Sequence, residues 1–304
     1  MDAQFLQASP IVVIGMHRSG TRLLVDVLDK LGVFMGADRQ ADSESVTFML
    51  LNESVLHQCG AFWSEPMSAH FMLAQPDVAE HVAVSTRDAL AAQLENYAGS
   101  SAWGRSLKSV PSSAGARKNR SAPSVAPTEL PAFGWKDPRN TFTLPVWTRI
   151  FPNLRVIHIV RHGVDAAASL ARRHAAALRA ATGEAVPPAL AVIRDHALGI
   201  LSSRRGWTLA EALTMWEQYV EKGREQCAAL GERALELRYE ELLLQPERAI
   251  SAVAKFCRVP EPAQRAALLD GLETGRAFAF RHEPGLVAFA ESARDVLARY
   301  GYEP

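Results

Sequence analysis

Apolar and polar positions along this chain follow two periods. Ile11–Val12–Val13–Ile14 is an unbroken β-branched run between Pro10 and Gly15, the pattern of a strand buried on both faces. Val156–Ile157–His158–Ile159–Val160 repeats it, and Leu235–Glu236–Leu237–Arg238–Tyr239 reads as a third strand. After the first run, Leu23, Leu24, Val27, Leu28 and Leu31 fall at helical spacing and Gly32 closes the segment. Further helices are expected over about 45–59, 79–97 and 164–179, in the stretch leading to Cys227, and over 246–259 and 285–300.

Strands alternating with helices predict a mostly parallel sheet with helices on both faces and right-handed crossovers. The expected fold class is α/β: a P-loop NTPase-like three-layer α/β/α arrangement with helical additions. Residues 104–131 depart from the pattern. They are rich in Ser, Pro, Ala and Gly, and carry Arg105, Lys108, Arg117, Lys118 and Arg120 with no acid before Glu129. This reads as a flexible insertion within one domain spanning 1–304. A second break is expected from Gly183 to Pro188. There is no internal repeat and no coiled-coil heptad.

Composition narrows the partners. The 304 residues hold 33 basic and 33 acidic side chains, so no global charge points to nucleic acid or a membrane surface. Cys59, Cys227 and Cys257 lie far apart, without metal-ligand spacing or a disulfide framework; reduced cytosolic thiols are expected. Met1 to Pro10 carries no basic residue, and the apolar run after it is too short for a signal core or a membrane span. A cytoplasmic chain without a membrane span is expected.

The candidate chemistry begins at the first strand. Gly15 and Gly20 have P-loop spacing, with Met16, His17, Arg18 and Ser19 between them. Glycine lets the backbone turn tightly against an anion, and the next helix aims its first N–H groups at it. An ATP-type loop continues with Lys and then Ser or Thr; here Thr21 and Arg22 stand in those places. The cation sits inside the loop, at Arg18, where a fixed charge needs no metal. His17, Arg18, Ser19, Gly20, Thr21 and Arg22 are the candidate anion-binding set.

Met16–His17–Arg18–Ser19–Gly20–Thr21 resembles the 5'-phosphosulfate loop of sulfotransferases that use PAPS (3'-phosphoadenosine 5'-phosphosulfate, giving PAP). The likeness is to bacterial and Golgi-type members, which carry Arg at the Arg18 position. Arg161 after the second strand, with Ser169 eight residues on, resembles the family's 3'-phosphate motif. Arginine offers a planar, permanently charged fork to a phosphate. Asp165 is expected to cap that helix. Trp135–Lys136–Asp137–Pro138–Arg139 resembles the Lys-Asp-Pro segment of bacterial and tyrosylprotein-type members. The likeness implies that Lys136 contacts the transferring group and helps it leave, with Asp137 orienting it and Arg139 touching phosphate or acceptor.

Cytosolic members place a base His shortly after that lysine; here the position is Pro138. The resemblance to the carboxylate-using branch implies Glu44 as general base, on the segment Glu44–Ser45…Leu51–Asn52–Glu53…Leu56. Glu53, His57 and His17 are reserves. Leu237–Arg238–Tyr239–Glu240–Glu241–Leu242 resembles a further family segment and places Tyr239 near the cofactor. Arg276 and Phe280–Arg281–His282 either close over the adenosine phosphates or form a solvated loop. Trp63, Trp207 and Trp216 either line an acceptor pocket or pack the core.

The likeness covers roughly 10–60 and 130–260. It implies in-line transfer of a sulfuryl group from PAPS, without a metal, to a hydroxyl or amine of a small molecule, carbohydrate or peptide. Two alternatives remain: an ATP-dependent P-loop kinase-like phosphotransferase, against which the missing Lys-Ser/Thr pair counts, and a catalytically inactive nucleotide-binding protein.

Overall fold

Four strands, β1 (Ile11–Ile14), β2 (Gly134–Lys136), β3 (Arg155–Val160) and β4 (Ala234–Arg238), form one sheet in the order β2-β1-β3-β4. Every neighbouring pair is parallel. The computed structural model describes residues 3–98, 132–183, 205–260 and 272–304. The segment 104–131 and most of the break at 183–188 lie outside the described residues.

Strand β1 is an unbroken apolar run, and β3 nearly so, because both faces of the sheet are covered there. Successive side chains point to opposite faces, and each face has its own core. Val12, Ile14, Trp135, Val156 and Val160 join Phe48, Phe142, Trp147 and Trp216 on one side. Ile11, Val13, Ile157, Ile159 and Leu237 join Leu24, Val25, Leu28 and Val253 on the other. The described chain is therefore a three-layer α/β/α arrangement.

Helices α1 (Ala3–Leu6) and α2 (Thr21–Lys30) flank β1 in sequence. Next come α3 (Val46–Gln58), α4 (Met67–Leu73) and α5 (Pro76–Ala98). After β2 lies α6 (Asn140–Ile150), and after β3 lie α7 (Gly163–Gly183) and α8 (Leu209–Leu230). A capping box starts α8: Thr208 Oγ1 accepts from the Glu211 amide, and the Glu211 carboxylate accepts from the Thr208 amide. After β4 come α9 (Tyr239–Leu244), α10 (Pro246–Cys257), α11 (Pro284–Ser292) and α12 (Arg294–Arg299). Helices α2, α9 and α10 cover the second core; the first is covered by the larger set that includes α3, α6, α7 and α8.

Helices α1 and α4 were not expected from the sequence, and other details differ from that reading. Strand β2 and helix α6 were not legible as periodic segments. Helix α6 carries Pro145 and buries most of its surface, so it has no polar stripe to betray it. A buried polar knot holds it instead: Asn52 Nδ2 donates to Asp137 Oδ2 at 2.9 Å and to Asn140 Oδ1 at 2.8 Å. Trp147 Nε1 donates to Asn52 Oδ1 at 2.8 Å. The stretch 285–300 is two helices, broken at Ala293, whose amide donates back to Phe289 and Ala290. The third strand ends at Arg238, and Tyr239 opens α9.

All three cysteines are unpaired. No helix among the described residues is long and apolar enough to cross a membrane.

Candidate functional site

The strand order places a topological switch between β1 and β3. From β1 the chain moves to β2 on one side; from β3 it moves to β4 on the other. At such a point the connections diverge at the carboxyl ends of the strands and leave a crevice for a ligand. The loop 15–20 leaves β1 there and Arg161 leaves β3 there.

The backbone of the loop is set by close approach. Gly15 has φ +136, and a Cβ on it would lie 2.4 Å from the Ile159 carbonyl oxygen. Gly20 has φ +92, and a Cβ on it would lie 2.1 Å from the Tyr239 ring. Arg18 itself takes φ 72, an uncommon conformation for a residue with a side chain. The Gly15 amide donates to Thr141 Oγ1 at 3.1 Å, tying the loop to α6. Beyond Gly20, the first-turn amides of α2 have no partner within the helix, and its positive end faces the loop.

A cavity of about 600 Å³ opens over this loop, a size suited to a small-molecule or cofactor ligand. His17, Arg18, Gly20, Thr21, Arg22, Glu44, Lys136, Arg161, Ser169 and Tyr239 all line it. Of the candidates in the loop 15–22, Ser19 does not. It is buried, with its amide donating to the Met16 carbonyl, and so supports the loop from beneath.

At one end, Arg18 Nε donates to Ser169 Oγ at 2.9 Å. Arg161 donates from Nη2 to the Arg276 carbonyl at 3.1 Å and lies 4.7 Å over the Tyr239 ring. The backbone of Arg161 is fixed by Trp216, whose Nε1 donates to its carbonyl at 2.9 Å. Trp216 is thus core and support, not pocket wall. Arg276 lines the cavity; Phe280 is buried, stacked on His162 at 4.2 Å, and Arg281 and His282 are exposed. Arg173 also lines the cavity and escaped the sequence reading. It lies one helical turn beyond Ser169, on the same face of α7, and that spacing was the available signal.

These cations crowd one another. Burial, then Arg173, Arg161 and Arg276, pull the Arg18 guanidinium below its ordinary range. Such convergence of like charge is unfavourable without an anion among them.

At the other end, Lys136 Nζ donates to the Asp42 carbonyl at 2.7 Å and to Glu44 Oε1 at 3.1 Å. Arg139 Nη1 reaches Glu44 Oε2 at 3.2 Å and Asp137 Oδ1 at 3.0 Å, and Nη2 reaches Glu53 at 3.0 Å. Burial and the Asp137 charge raise the Glu44 pKa, against the opposing pull of Lys136 and Arg139. Burial alone would lower the Arg139 pKa, but Asp137, Glu44 and Glu53 together hold it above its usual value.

Three expected roles change here. Asp137 accepts from Asn52 and Arg139 and makes no bond to Lys136. Arg139 is buried in carboxylates and does not line the cavity. Asp165 is not a helix cap: it accepts from the Ala279 and Phe280 amides and pairs with Arg161 at 3.4 Å, so it pins the late segment beside the site. Among the reserves, Glu53 pairs with Arg139, and His57 packs edge-on to Phe62 away from the cavity. Trp63 meets His17 edge-on at 4.6 Å, and Trp207 lies tilted 4.9 Å from His174. Among the described residues no group of three or more His, Cys, Asp or Glu could hold a metal ion.

Comparison with known proteins adds a family. A family model described as "Sulfotransferase family" matches residues 10–263. Comparison with curated proteins gave no match. Among solved structures, the chain is similar to a sulfotransferase domain from the olefin synthase of Synechococcus PCC 7002, at 16% identity and TM-score 0.48, over 98% of this chain and 96% of that one. It is similar to the sulfotransferase domain of the curacin biosynthetic pathway, at 16% identity and TM-score 0.46, over 88% and 79%. It is also similar to sulfotransferase STF9 from Mycobacterium avium, at 13% identity and TM-score 0.44, over 91% and 69%.

Proposed function

This chain belongs to the sulfotransferase family, and from that premise we propose that it takes its sulfuryl group from PAPS and passes it to an acceptor hydroxyl or amine. The observation that carries the donor assignment is the convergence of Arg18, Arg161, Arg173 and Arg276 on one cavity at the switch point. Two of them, Arg18 and Arg161, lie in the segments that follow neighbouring parallel strands, and both line the same cavity. A nucleotide with anionic groups at both its 5' and 3' positions satisfies such a set.

In this reading the loop amides, Arg18, Thr21 and Arg22 hold the 5' end of the donor, and Arg161, Ser169 and Tyr239 hold the 3' end. PAPS supplies an activated sulfuryl group on a phosphate leaving group. Lys136 stabilises charge that builds on the bridging oxygen as the sulfur–oxygen bond breaks. Glu44 takes the proton from the acceptor as the new oxygen–sulfur or nitrogen–sulfur bond forms. The work of the protein is positioning and charge stabilisation.

The deciding experiment is thermal unfolding with and without PAP in metal-free buffer. PAP is expected to raise Tm, because a ligand that binds only the folded state stabilises it by mass action. Tighter binding of Mg²⁺-ATP than of PAP would transfer the site to phosphoryl chemistry. Arg161→Ala is expected to weaken PAP binding by about 1.5–3 kcal/mol, the range for a hydrogen bond to a charged group, measured by calorimetry. Unchanged affinity would remove Arg161 from the site.

The raised Glu44 pKa sets a pH dependence. A base works only when deprotonated, so the rate is expected to fall as pH drops through a value above the ordinary carboxylate range. In a pH–rate profile, the residual activity of Glu44→Gln should lack that acid limb. An identical limb in the variant would assign it to another group.

A further inference from the structure

Arg161 lines the cavity, yet the sheet does not hold it. The ladder between β3 and β4 ends at the pair Val160 and Arg238, and Arg161 is the first residue beyond it. The direction in which its side chain leaves the backbone depends on the peptide that joins it to His162.

Side chains grip that peptide at both edges. Its carbonyl accepts from Trp216 Nε1 at 2.9 Å, and its N–H, on His162, donates to Glu240 Oε1 at 2.9 Å. Glu240 is only 4% exposed, and its second oxygen accepts from the Tyr302 hydroxyl at 3.1 Å. Neither Glu240 nor Tyr302 lines the cavity. The His162 ring is anchored as well. Its Nε2 lies 2.8 Å from the Glu303 carbonyl and must carry the proton there, which leaves Nδ1 to accept from the Val164 amide at 3.3 Å. Tyr302 meets the ring edge-on at 5.1 Å. Glu240 also follows Tyr239, whose ring lies 4.7 Å from the Arg161 guanidinium. One dipeptide at the start of α9 therefore meets Arg161 twice, with a ring at its charged end and a carboxylate at its backbone.

We propose that Glu240 is a positioning residue of the donor site: by holding the Arg161–His162 peptide, it aims Arg161 at the 3'-phosphate of PAP without touching the ligand. Without that acceptor the His162 N–H is a buried donor lacking a partner. The peptide relieves it by turning, and carries the Arg161 side chain with it. The proposal rests on the PAPS reading.

PAP and adenosine 5'-phosphate, which lacks the 3' group, serve as the probes, with affinities measured by calorimetry. Glu240→Met keeps the length of the side chain and deletes both acceptors. It is expected to weaken PAP binding about tenfold and to leave adenosine 5'-phosphate within about twofold of wild type. Glu240→Gln keeps an acceptor for the His162 N–H and is expected to recover most of the loss. In an Arg161→Ala background, Glu240→Met is expected to cost PAP binding nothing further, because residues that act through one contact are not additive. Unchanged PAP affinity in Glu240→Met, an equal loss for both ligands, or the full loss repeated in the Arg161→Ala background overturns the proposal. If Glu240→Met does not fold, Tyr302→Phe takes its place. It keeps the ring beside His162 and frees only the Glu240 oxygen, and is expected to weaken PAP alone by about threefold; no selective loss overturns the proposal. If the wild type does not bind PAP, or Arg161→Ala binds it unchanged, the donor reading falls instead, so the failures are separable.

Discussion

Lys136→Met is expected to lower kcat by about 10²- to 10³-fold, the usual effect of removing one preorganised donor from a transition state, with PAP affinity nearly unchanged. Lys136 ends β2 beside Val13, two residues before the loop begins, and its side chain is 2% exposed. Its ammonium is fixed by the Asp42 carbonyl and Glu44, so it needs no reorganisation to meet developing charge. Methionine keeps the length and apolar stem and deletes the charge together with its bonds to the Asp42 carbonyl and Glu44, and the retained PAP affinity reports that the fold survives. Single-turnover transfer of labelled sulfate measures it. A loss smaller than about tenfold would remove Lys136 from the role of leaving-group stabiliser.

Arg139→Ala is expected to destabilise the fold by about 3–5 kcal/mol, the cost of breaking a buried ion pair from one side. Arg139 is 8% exposed, while its partners Asp137 and Glu44 are 0% and 6% exposed. Its removal leaves two buried carboxylates, of which only Glu44 keeps a cation, Lys136. Arg139→Lys is expected to recover only part of the loss, because an ammonium cannot fork across three carboxylates. Urea unfolding measures both variants. A cost below about 1 kcal/mol would mean that the network behaves like a solvated surface pair.

What could be read in the sequence followed from local pattern. Strands β1 and β3 announce themselves because four β-branched residues, in a row or split only by His158, between glycine, proline or charged punctuation, have few other uses. The loop is legible because Gly15 and Gly20 are separated by the span that cradles an anion. Arg161 and Ser169 stand out only beside that loop. Strand β2 has three residues, one of them charged, and α6 is buried on most sides, so neither carries a period. The role of Arg139 is hidden for a different reason. Its partners Glu44 and Glu53 lie 95 and 86 residues earlier in the chain, and nothing local marks such a pairing. A still longer stretch, 114 and 115 residues, separates Asp165 from the amides of Ala279 and Phe280 that it holds.

The parallel ladder between Val12–Ile14 and Val156–His158 has a consequence for selectivity. It fixes the backbone from which the segments carrying Arg18 and Arg161 leave the sheet, and so the side of the cavity on which both guanidinium groups gather. On the PAPS reading, adenosine 5'-phosphosulfate, which lacks the 3'-phosphate, is expected to bind more weakly, because the crowded cations keep their places and are left without that anion.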